Sequence, residues 1–301
     1  MTPITSISPA KIHLIGEYSA IYGKPTILFP INLELSLTIQ KTTKKTKKEP
    51  FQKIIEQKFE KKYGKKIPNY SLQIKSNIPI GSGLGSSAAL SAALTKSLAK
   101  MLNLKLTDDD IFDFALEGEK YFHGFPSGSD LWTIIAGKIL WYRKETPDLI
   151  IKKPLDLTLS ENLSLFLIDS GTPEESTKEM VTYVIKNVQP KNFQLFADAQ
   201  EALTKEMYYA LKENDQKSFL RIIKDANKNL QALGVVSKTT KEIIKKIEAI
   251  SGAAKITGAG GRKKGSGMII ATHIKPAKLI SLAQKNNWKI IPIELATRGL
   301  K

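Results

Sequence analysis

The segment from Pro79 to Leu90, PIGSGLGSSAAL, has the residue types and spacing of a phosphate-binding loop. It combines alternating glycines with two serines, namely Gly81, Gly83, Gly85, Ser86 and Ser87. Glycine has no Cβ, so the backbone here can adopt left-handed conformations and bring its amide N–H groups close to a ligand. At the start of a helix, such amides carry the positive end of the macrodipole, and phosphate is their natural partner.

The hydroxyls of Ser86 and Ser87 add a second property to this loop. A hydroxyl at a helix start can cap the backbone amides, or it can reach a phosphate or a Mg²⁺ ion. The pattern differs from G-x-x-x-x-G-K-[ST] and from G-x-G-x-x-G, so it is neither a Walker nor a Rossmann loop. Residue types alone leave an ordinary tight turn as the alternative.

The neighbouring sequence predicts the elements that would position this loop. Tyr70 to Lys75 alternates apolar and polar residues like a strand, and the Ala-rich run from Ser86 to Leu104 predicts a long helix. Upstream, KIHLIGE and INLELSLTI predict strands that flank a turn at Tyr22 to Pro25, and Phe51 to Tyr63 predicts a charged amphipathic helix. The glycine loop is therefore expected between a strand and a helix start.

The residues after the long helix contain a second helix signal. Thr107 with Asp110 resembles a capping box and predicts a helix through about Phe122. The following HGFPSGSD is rich in turn residues, and TIIAGKILWYRK predicts a pair of strands around Gly137.

The second half of the chain also mixes strands and helices. LSLFLIDSG predicts a buried strand, with Pro173 as the first residue of the next helix. Further helices are predicted at Asn192 to Lys212, Gln216 to Leu233 and Thr239 to Ile250. A second glycine-rich segment, KITGAGGRKKGSG, leads into the strand MIIAT, a helix from Pro276 and the closing strand WKIIPIEL.

This arrangement predicts an α+β protein, because helices and strands alternate without the regularity of a parallel βαβ repeat. The pattern loosens between Asp148 and Ser160. A loosened, polar stretch of this kind is typical of a domain boundary, so two domains are predicted, residues 1–155 and 156–301.

Composition restricts the function classes. The 301 residues include no cysteine and three histidines, which excludes disulfides, thiolate metal sites and a cysteine nucleophile and leaves little for a zinc site. No apolar run is long enough to cross a bilayer, and Met1 to Ala10 lacks the pattern of a signal peptide. The expectation is a cytoplasmic protein without a membrane partner.

The net charge of +17 is mostly lysine, and the densest cluster is Lys41 to Lys48, KTTKKTKK. No aromatic residue is interleaved there for base stacking, and the chain has only four arginines, the residue that specific base readout favours. We interpret the cluster as a solvated loop, with contact to a polyanion as the alternative. Nucleic acid is not the expected partner.

Three segments, in this order, resemble the GHMP kinases, the family of galacto-, homoserine, mevalonate and phosphomevalonate kinases. They are SPAKIHLIGEYSAIYGKP, the glycine loop PIGSGLGSSAA and the C-terminal KITGAGG. The resemblance implies a two-domain α+β fold, with an N-terminal domain like that of ribosomal protein S5 and a C-terminal ferredoxin-like domain. It also implies ATP and Mg²⁺ as cofactors, and a homodimer is compatible with it.

Within the family, further segments are similar to those of the members that act on mevalonate. These segments are EGEKYFHGFPSGSD, DSGTPEESTKEMV and NLQALGVVS. The similarity implies phosphoryl transfer from MgATP to the C5 hydroxyl of mevalonate, a step of isoprenoid precursor synthesis.

The resemblance assigns roles residue by residue. Lys11 and Asp130 match the catalytic lysine and aspartate, and Ser87 and Glu119 match positions associated with Mg²⁺. Glu17, the glutamate of the N-terminal motif, is expected near the nucleotide and substrate pocket, and Tyr18 is expected near mevalonate. The nucleotide-phosphate positions correspond to Ser76, Gly81, Ser82, Gly83, Leu84, Gly85, Ser86 and Ser87.

Elementary chemistry agrees with these roles. Phosphoryl transfer requires charge neutralisation and a hydroxyl held in line, and Mg²⁺ prefers oxygen ligands such as one carboxylate and one hydroxyl. A lysine beside Asp130 would keep that carboxylate ionised, although sequence leaves open whether it removes the proton or only orients the alcohol. Taken singly, Lys11, Glu119 and Asp130 could each be an ordinary exposed or turn residue. His123 is expected to be structural, because no second histidine lies at a ligand spacing.

Two features depart from the mevalonate-specific pattern. Tyr18 replaces the usual histidine after the motif glutamate, and Arg262 to Ser266 extend the C-terminal glycine loop with basic residues that could contact a phosphate. Phosphomevalonate is therefore the nearest rival substrate. A non-catalytic member that binds a polyanion and a decarboxylating relative are further alternatives.

Overall fold

The computed structural model describes residues 2–124, 126–146, 149–159, 163–296 and 298–301. Phe125 of the predicted turn-rich segment lies outside the described residues, as do Asp148 and Ser160, the ends of the predicted boundary segment. The boundary at residue 155 stays a prediction.

The first part of the chain forms a five-stranded antiparallel sheet with helices packed against it. The strands are β1 (Ile4–Ile15), β2 (Thr26–Lys41), β3 (Tyr70–Ser76), β4 (Ile139–Lys144) and β5 (Ile150–Leu155). They are ordered β1-β2-β4-β5, and β3 pairs with the far end of β2. The helices are α1 (Pro50–Tyr63), α2 (Ser86–Met101), α3 (Asp108–His123) and α4 (Ser129–Ala136).

The second part forms a four-stranded antiparallel sheet ordered β7-β8-β6-β9. Its strands are β6 (Leu165–Asp169), β7 (Ala253–Ile256), β8 (Met268–Thr272) and β9 (Ile290–Ile293). Its helices are α5 (Thr177–Asn187), α6 (Pro190–Lys212), α7 (Gln216–Ala232), α8 (Lys238–Ala249) and α9 (Pro276–Lys285). The two sheets with their helices confirm the predicted α+β class.

The last residues of the chain return to the first sheet. The Ala296 amide donates to the Pro30 carbonyl, and the Lys301 amide donates to the Ile7 carbonyl, both at 2.9 Å. The two halves of the chain therefore share contacts beyond the segment that joins them.

Helix α2 lies in the centre of the first hydrophobic core, where it places the glycine loop. Its alanines Ala88, Ala89, Ala92 and Ala93 are fully buried, so the helix approaches β1 and α3 closely. A Cβ on Gly118 of α3 would lie only 2.4 Å from the Ser91 Oγ, so this glycine permits the close approach. The small residues of α2 thus fix its start against the neighbouring elements.

The predicted strand before Gly137 is wrong. Thr133 to Ala136 belong to α4, and Gly128 and Gly137 adopt left-handed conformations at the two ends of this helix (φ 86° and 59°). Between them, Leu131, Ile134 and Ile135 are buried at helical spacing, and this packing overrides the β-branched run.

Pro173 was predicted as the first residue of a helix, but α5 begins four residues later. Ser176 is its N-cap: the hydroxyl accepts from the Glu179 amide, and the Glu179 carboxylate accepts from the Ser176 amide. The strands β5 and β7 had not been predicted, because β5 lies in the loosened segment and β7 is a short AAKI run. No helix of the described residues is long and apolar enough to cross a membrane.

Candidate active site

The glycine loop has the predicted conformation. Gly81, Gly83 and Gly85 all have positive φ, at 70°, 81° and 75°, and Gly85 is the N-cap of α2. No side chain of the described residues caps this helix start. A Cβ on Gly83 would lie 2.5 Å from the Thr257 carbonyl oxygen, whereas a Cβ on Gly81 would meet nothing within 4 Å. The loop therefore packs on the second glycine loop at Gly83 and is open at Gly81.

Other residues of the loop are held by local contacts. The Ser82 hydroxyl donates to the Pro79 carbonyl at 2.6 Å, and the Leu84 carbonyl accepts from the Lys11 amide at 3.0 Å. Ser86 and Ser87, in the first turn of α2, are half-buried. Ser76 is at the exposed end of β3, where its hydroxyl accepts from the Ile78 amide at 3.1 Å.

Lys11 and Asp130 lie together beside this loop. The Lys11 ammonium is 3.0 Å from Asp130 Oδ2 and donates to the Gly83 carbonyl, also at 3.0 Å. Lys11 is buried in β1, whereas the Asp130 side chain, at the start of α4, is 28% exposed and accessible to a substrate. The fold thus brings both predicted catalytic residues to the glycine loop.

His13 is a third member of this cluster, and sequence reasoning missed it. Its Nε2 lies 3.2 Å from Asp130 Oδ1, and the Ser129 hydroxyl donates to the same oxygen at 3.4 Å. Burial would raise the pKa of the Asp130 carboxyl, but the charge of Lys11 and the contact with His13 outweigh it and hold the pKa well below its usual range. Asp130 is therefore ionised at neutral pH.

Glu119 and Ser87 form a second cluster at the loop. Glu119 is buried, and its Oε1 has no hydrogen-bond partner in the part of the chain that the structure describes. Burial raises the pKa of Glu119 to about 7, although Ser87 lies close enough for its hydroxyl to oppose the shift. His123 Nε2 lies 2.9 Å from Ser87 Oγ, so this histidine contacts a predicted site residue.

The donor set of this second cluster suits Mg²⁺. An unpartnered buried carboxylate oxygen beside a hydroxyl offers the oxygen ligands that this ion prefers. The described residues contain no group of three or more His, Cys, Asp or Glu side chains able to hold a metal. Phosphate oxygens and water would therefore supply the remaining ligands.

Glu17 is engaged in a buried ion pair with Lys255. Lys255 comes from β7 of the second sheet, and its ammonium also donates to the Ile256 carbonyl at 2.8 Å and the His13 carbonyl at 3.3 Å. Glu17 Oε2 has no hydrogen-bond partner among the described residues. Burial lowers the pKa of Lys255, and Glu17 opposes that shift. Glu17, two residues after the end of β1, is therefore held by a residue of the second sheet.

Tyr18 joins the N-terminal motif to the second glycine loop. It is buried, with a φ of 63° that is unusual for a residue with a Cβ, and its hydroxyl donates to the Ala259 carbonyl at 2.6 Å. Burial raises the pKa of the Tyr18 phenol above its usual value, and the negative charge of Glu17 adds to this increase. The hydroxyl hydrogen is thus engaged within the protein.

The basic extension of the second glycine loop contacts the segment before α5 and α5 itself. The Arg262 guanidinium lies 3.6 Å from the centroid of the Tyr183 ring, and the Arg262 amide donates to Glu175. Lys263 forms a long, exposed ion pair of 3.8 Å with Glu174. Part of the added positive charge is thus balanced within the protein.

Comparison with known proteins agrees with this arrangement. Residues 50–138 match the model of the GHMP kinases N terminal domain, a region that includes the glycine loop, Glu119 and Asp130. The mevalonate kinase of Aeropyrum pernix is 27% identical over 158 residues, 52% of this chain and 47% of that protein. The match thus spans about half the length of this curated relative.

Solved structures are similar over nearly the whole chain. The mevalonate kinase of Methanococcus jannaschii has a TM-score of 0.79 at 21% identity, covering 98% of both chains. The phosphomevalonate kinase of Streptococcus pneumoniae, solved with phosphomevalonate and AMPPNP, has a TM-score of 0.80 at 17% identity, covering 98% of this chain and 99% of that one.

The fold and the site together combine two antiparallel sheets, a glycine-rich loop at a helix start and a lysine–aspartate pair beside that loop. Residues 50–138 of this chain match the GHMP kinases N terminal domain, and the fold is similar to that of the solved mevalonate and phosphomevalonate kinases named above.

Proposed function

We propose that this protein transfers the γ-phosphoryl group of MgATP to the C5 hydroxyl of mevalonate, in isoprenoid precursor synthesis. The observation that carries the proposal is the position of the Lys11 ammonium, 3.0 Å from both the Asp130 carboxylate and the Gly83 carbonyl of the glycine loop. An alcohol bound by Asp130 would be adjacent to a phosphate bound by the loop.

Each group of this site has a role in the proposed reaction. The uncapped amides at the start of α2 would bind ATP phosphates, and Lys11 would offset the negative charge that the phosphoryl group and Asp130 bring together. Asp130 would accept a hydrogen bond from the alcohol and orient it. Its lowered pKa makes it a weak base, which favours orientation over proton abstraction before transfer.

Glu119 and Ser87 would hold Mg²⁺, with the unpartnered Glu119 oxygen as the carboxylate ligand. When bound, the ion would neutralise charge on the phosphate oxygens. The raised pKa of Glu119 means that the metal-free site contains a mixture of protonated and ionised carboxyl near pH 7. Binding of the cation therefore requires loss of that proton.

The choice of mevalonate rests on the PSGSD and STK segments of this chain and on its similarity to the Aeropyrum pernix mevalonate kinase. Phosphomevalonate is the second candidate, because the Arg262–Lys264 extension adds positive charge close to the second glycine loop. Two of its three basic residues already contact Tyr183 or the glutamates Glu174 and Glu175, which makes mevalonate the better candidate.

The test is ADP release with MgATP and, in separate reactions, mevalonate, 5-phosphomevalonate, homoserine and galactose. Turnover on mevalonate alone is the expected result and would make Tyr18 a tolerated replacement of histidine. Turnover on 5-phosphomevalonate instead would reassign the basic extension to substrate recognition. No turnover in any reaction would favour a non-catalytic protein, which salt-sensitive binding to a polyanion would then support.

A further inference from the structure

His13 lies at a point where β1 departs from regular pairing. The register between β1 and β2 shifts between His13 and Ile15, which marks an irregularity of the β-bulge type. Lys11 and His13 precede this irregularity and pair with Pro30 and Leu28 in one continuous register. Residues two places apart on a strand point to the same face of the sheet, so both side chains can reach the same carboxylate.

The side chain of His13 engages the Asp130 oxygen that Lys11 leaves free. Lys11 contacts Oδ2, and His13 Nε2 lies 3.2 Å from Oδ1. A carboxylate only accepts hydrogen bonds, so His13 Nε2 must carry the hydrogen for this contact to be favourable. Burial and the charge of Lys11 lower the pKa of His13, which agrees with a neutral imidazole. Its Nδ1 lies 3.4 Å from the Thr26 hydroxyl, a longer contact than that of Nε2 with the charged Asp130, so the single ring hydrogen belongs at Nε2.

The backbone of His13 is bonded to the second sheet. Its amide donates to the Thr257 hydroxyl at 2.9 Å, and its carbonyl accepts from the Thr257 hydroxyl and from the Lys255 ammonium, both at 3.3 Å. Thr257 begins the second glycine loop, and its carbonyl is the atom that packs on Gly83. His13 is therefore bonded to the second glycine loop through its backbone and to Asp130 through its side chain.

We propose that His13 is a positioning residue that fixes the Asp130 carboxylate in the orientation required for phosphoryl transfer. This inference rests on the proposed function. With Lys11 on one oxygen and His13 on the other, the carboxylate cannot rotate without losing a contact. Among the described residues, loss of the His13 donor would leave Oδ1 with only the long Ser129 contact. A misplacement of about 1 Å at a reacting group can reduce turnover about 100-fold.

Three substitutions of His13 distinguish the effect of its hydrogen-bond donor from the effect of its side-chain size. In His13→Gln the amide nitrogen can occupy the place of Nε2, in His13→Asn it reaches only as far as Nδ1, and His13→Leu has no donor. We expect kcat to fall about 10- to 100-fold in the Leu and Asn variants, with KM for ATP unchanged and kcat largely restored in the Gln variant. The matched control is His273→Leu, which removes a buried histidine after β8 and should leave kcat unchanged.

A measurement on the unmodified protein keeps the proposal testable if a variant fails to fold. The chain has three histidines, so a long-range ¹H–¹⁵N spectrum resolves each imidazole. We expect His13 to be protonated at Nε2 near pH 7, with a resonance that shifts in Asp130→Asn. Protonation at Nδ1, or a His13 signal insensitive to that substitution, would overturn the proposal.

The outcomes distinguish this inference from the function on which it rests. Turnover by the wild-type protein with an unchanged kcat in His13→Leu would overturn only the role of His13. That role would also be overturned if His13→Gln, folded normally, were as slow as His13→Leu. Absence of wild-type turnover on every tested alcohol would overturn the proposed function, and the role of His13 with it.

Discussion

The buried ion pair between Glu17 and Lys255 allows a quantitative prediction about stability. The Lys255 side chain is fully buried and that of Glu17 is 2% exposed, and the pair joins β7 of the second sheet to the end of β1. Lys255→Met would leave a buried carboxylate without its cation, and one oxygen of that carboxylate already has no hydrogen-bond partner among the residues that the structure describes. Breaking a buried pair in this way costs about 3–5 kcal/mol, so we expect a loss of that size at pH 8.

Glu17→Gln should reduce the free energy of unfolding less than Lys255→Met does. The Lys255 ammonium keeps two carbonyl acceptors, those of Ile256 and His13, and burial already favours its neutral form. We expect a loss of about 2 kcal/mol. Replacing both residues together, as in Lys255→Met with Glu17→Leu, should cost much less than the sum of the single losses, because no uncompensated charge remains.

The two single variants should respond to pH in opposite directions. In Lys255→Met, the charged carboxylate of Glu17 stays buried without a cation, which is costly, so the loss of stability should be larger at pH 8 than at pH 5. In Glu17→Gln, the folded-state pKa of Lys255 lies below its unfolded value of about 10.4, so stability rises with pH across the interval between these two pKa values. The two variants differ in direction because one leaves a buried anion and the other a buried cation.

The assay is urea unfolding followed by tryptophan fluorescence at pH 5, pH 8 and pH 10. Lys45→Met, which removes an exposed lysine, is the control and should change stability by no more than about 0.5 kcal/mol. The reasoning would be refuted if Lys255→Met cost less than about 1 kcal/mol at pH 8. It would also be refuted if both single variants had the same pH dependence.

Three further predictions concern the site. Burial raises the pKa of Glu119 from 4.5 to about 7, so in metal-free buffer the protein should lose about 2.5 kcal/mol of stability between pH 5 and pH 8. Urea unfolding of Glu119→Gln should show no such loss. Tyr18→Phe should lower stability by about 1 kcal/mol but keep turnover within a few-fold, because the Tyr18 hydroxyl donates to a carbonyl of the second glycine loop. Abolished turnover would instead indicate that this hydroxyl contacts the substrate. Gly83→Ala should reduce kcat/KM for ATP far more than Gly81→Ala, because of these two positions only Gly83 would bring the new methyl against the Thr257 carbonyl. Equal effects would contradict the close packing of the first glycine loop on the second.

The features that the sequence predicted best depend on local residue patterns. The strand, glycine loop and helix around Gly83 follow from alternation, glycine spacing and a run of helix formers, all within a short window. The capping box of Thr107 with Asp110 is likewise local, and the structure confirms it. The encounter of Lys11 with Asp130 was expected from family resemblance, and the structure brings them together.

The features that were missed depend on contacts between distant segments. His13 lies two places after Lys11 and therefore on the same face of β1, but only the position of α4 brings Asp130 to that face. No local sequence pattern indicates the role of Lys255, because its partner Glu17 lies far away in the chain, next to the first sheet. The α4 error has the same origin, since burial on three sides overrode the strand preference of Ile134 and Ile135.

The central claim is that the Lys11–Asp130 pair at the glycine loop supports phosphoryl transfer to a small alcohol. The most direct test incubates the protein with MgATP and mevalonate, identifies the product by ³¹P NMR and repeats the reaction with Asp130→Ala. We predict a phosphate monoester at the C5 oxygen with the wild-type protein, and almost no product with Asp130→Ala, which should still bind ATP by calorimetry. Full activity in Asp130→Ala, or a wild-type protein that binds ATP but phosphorylates neither mevalonate nor the other tested alcohols, would contradict the account.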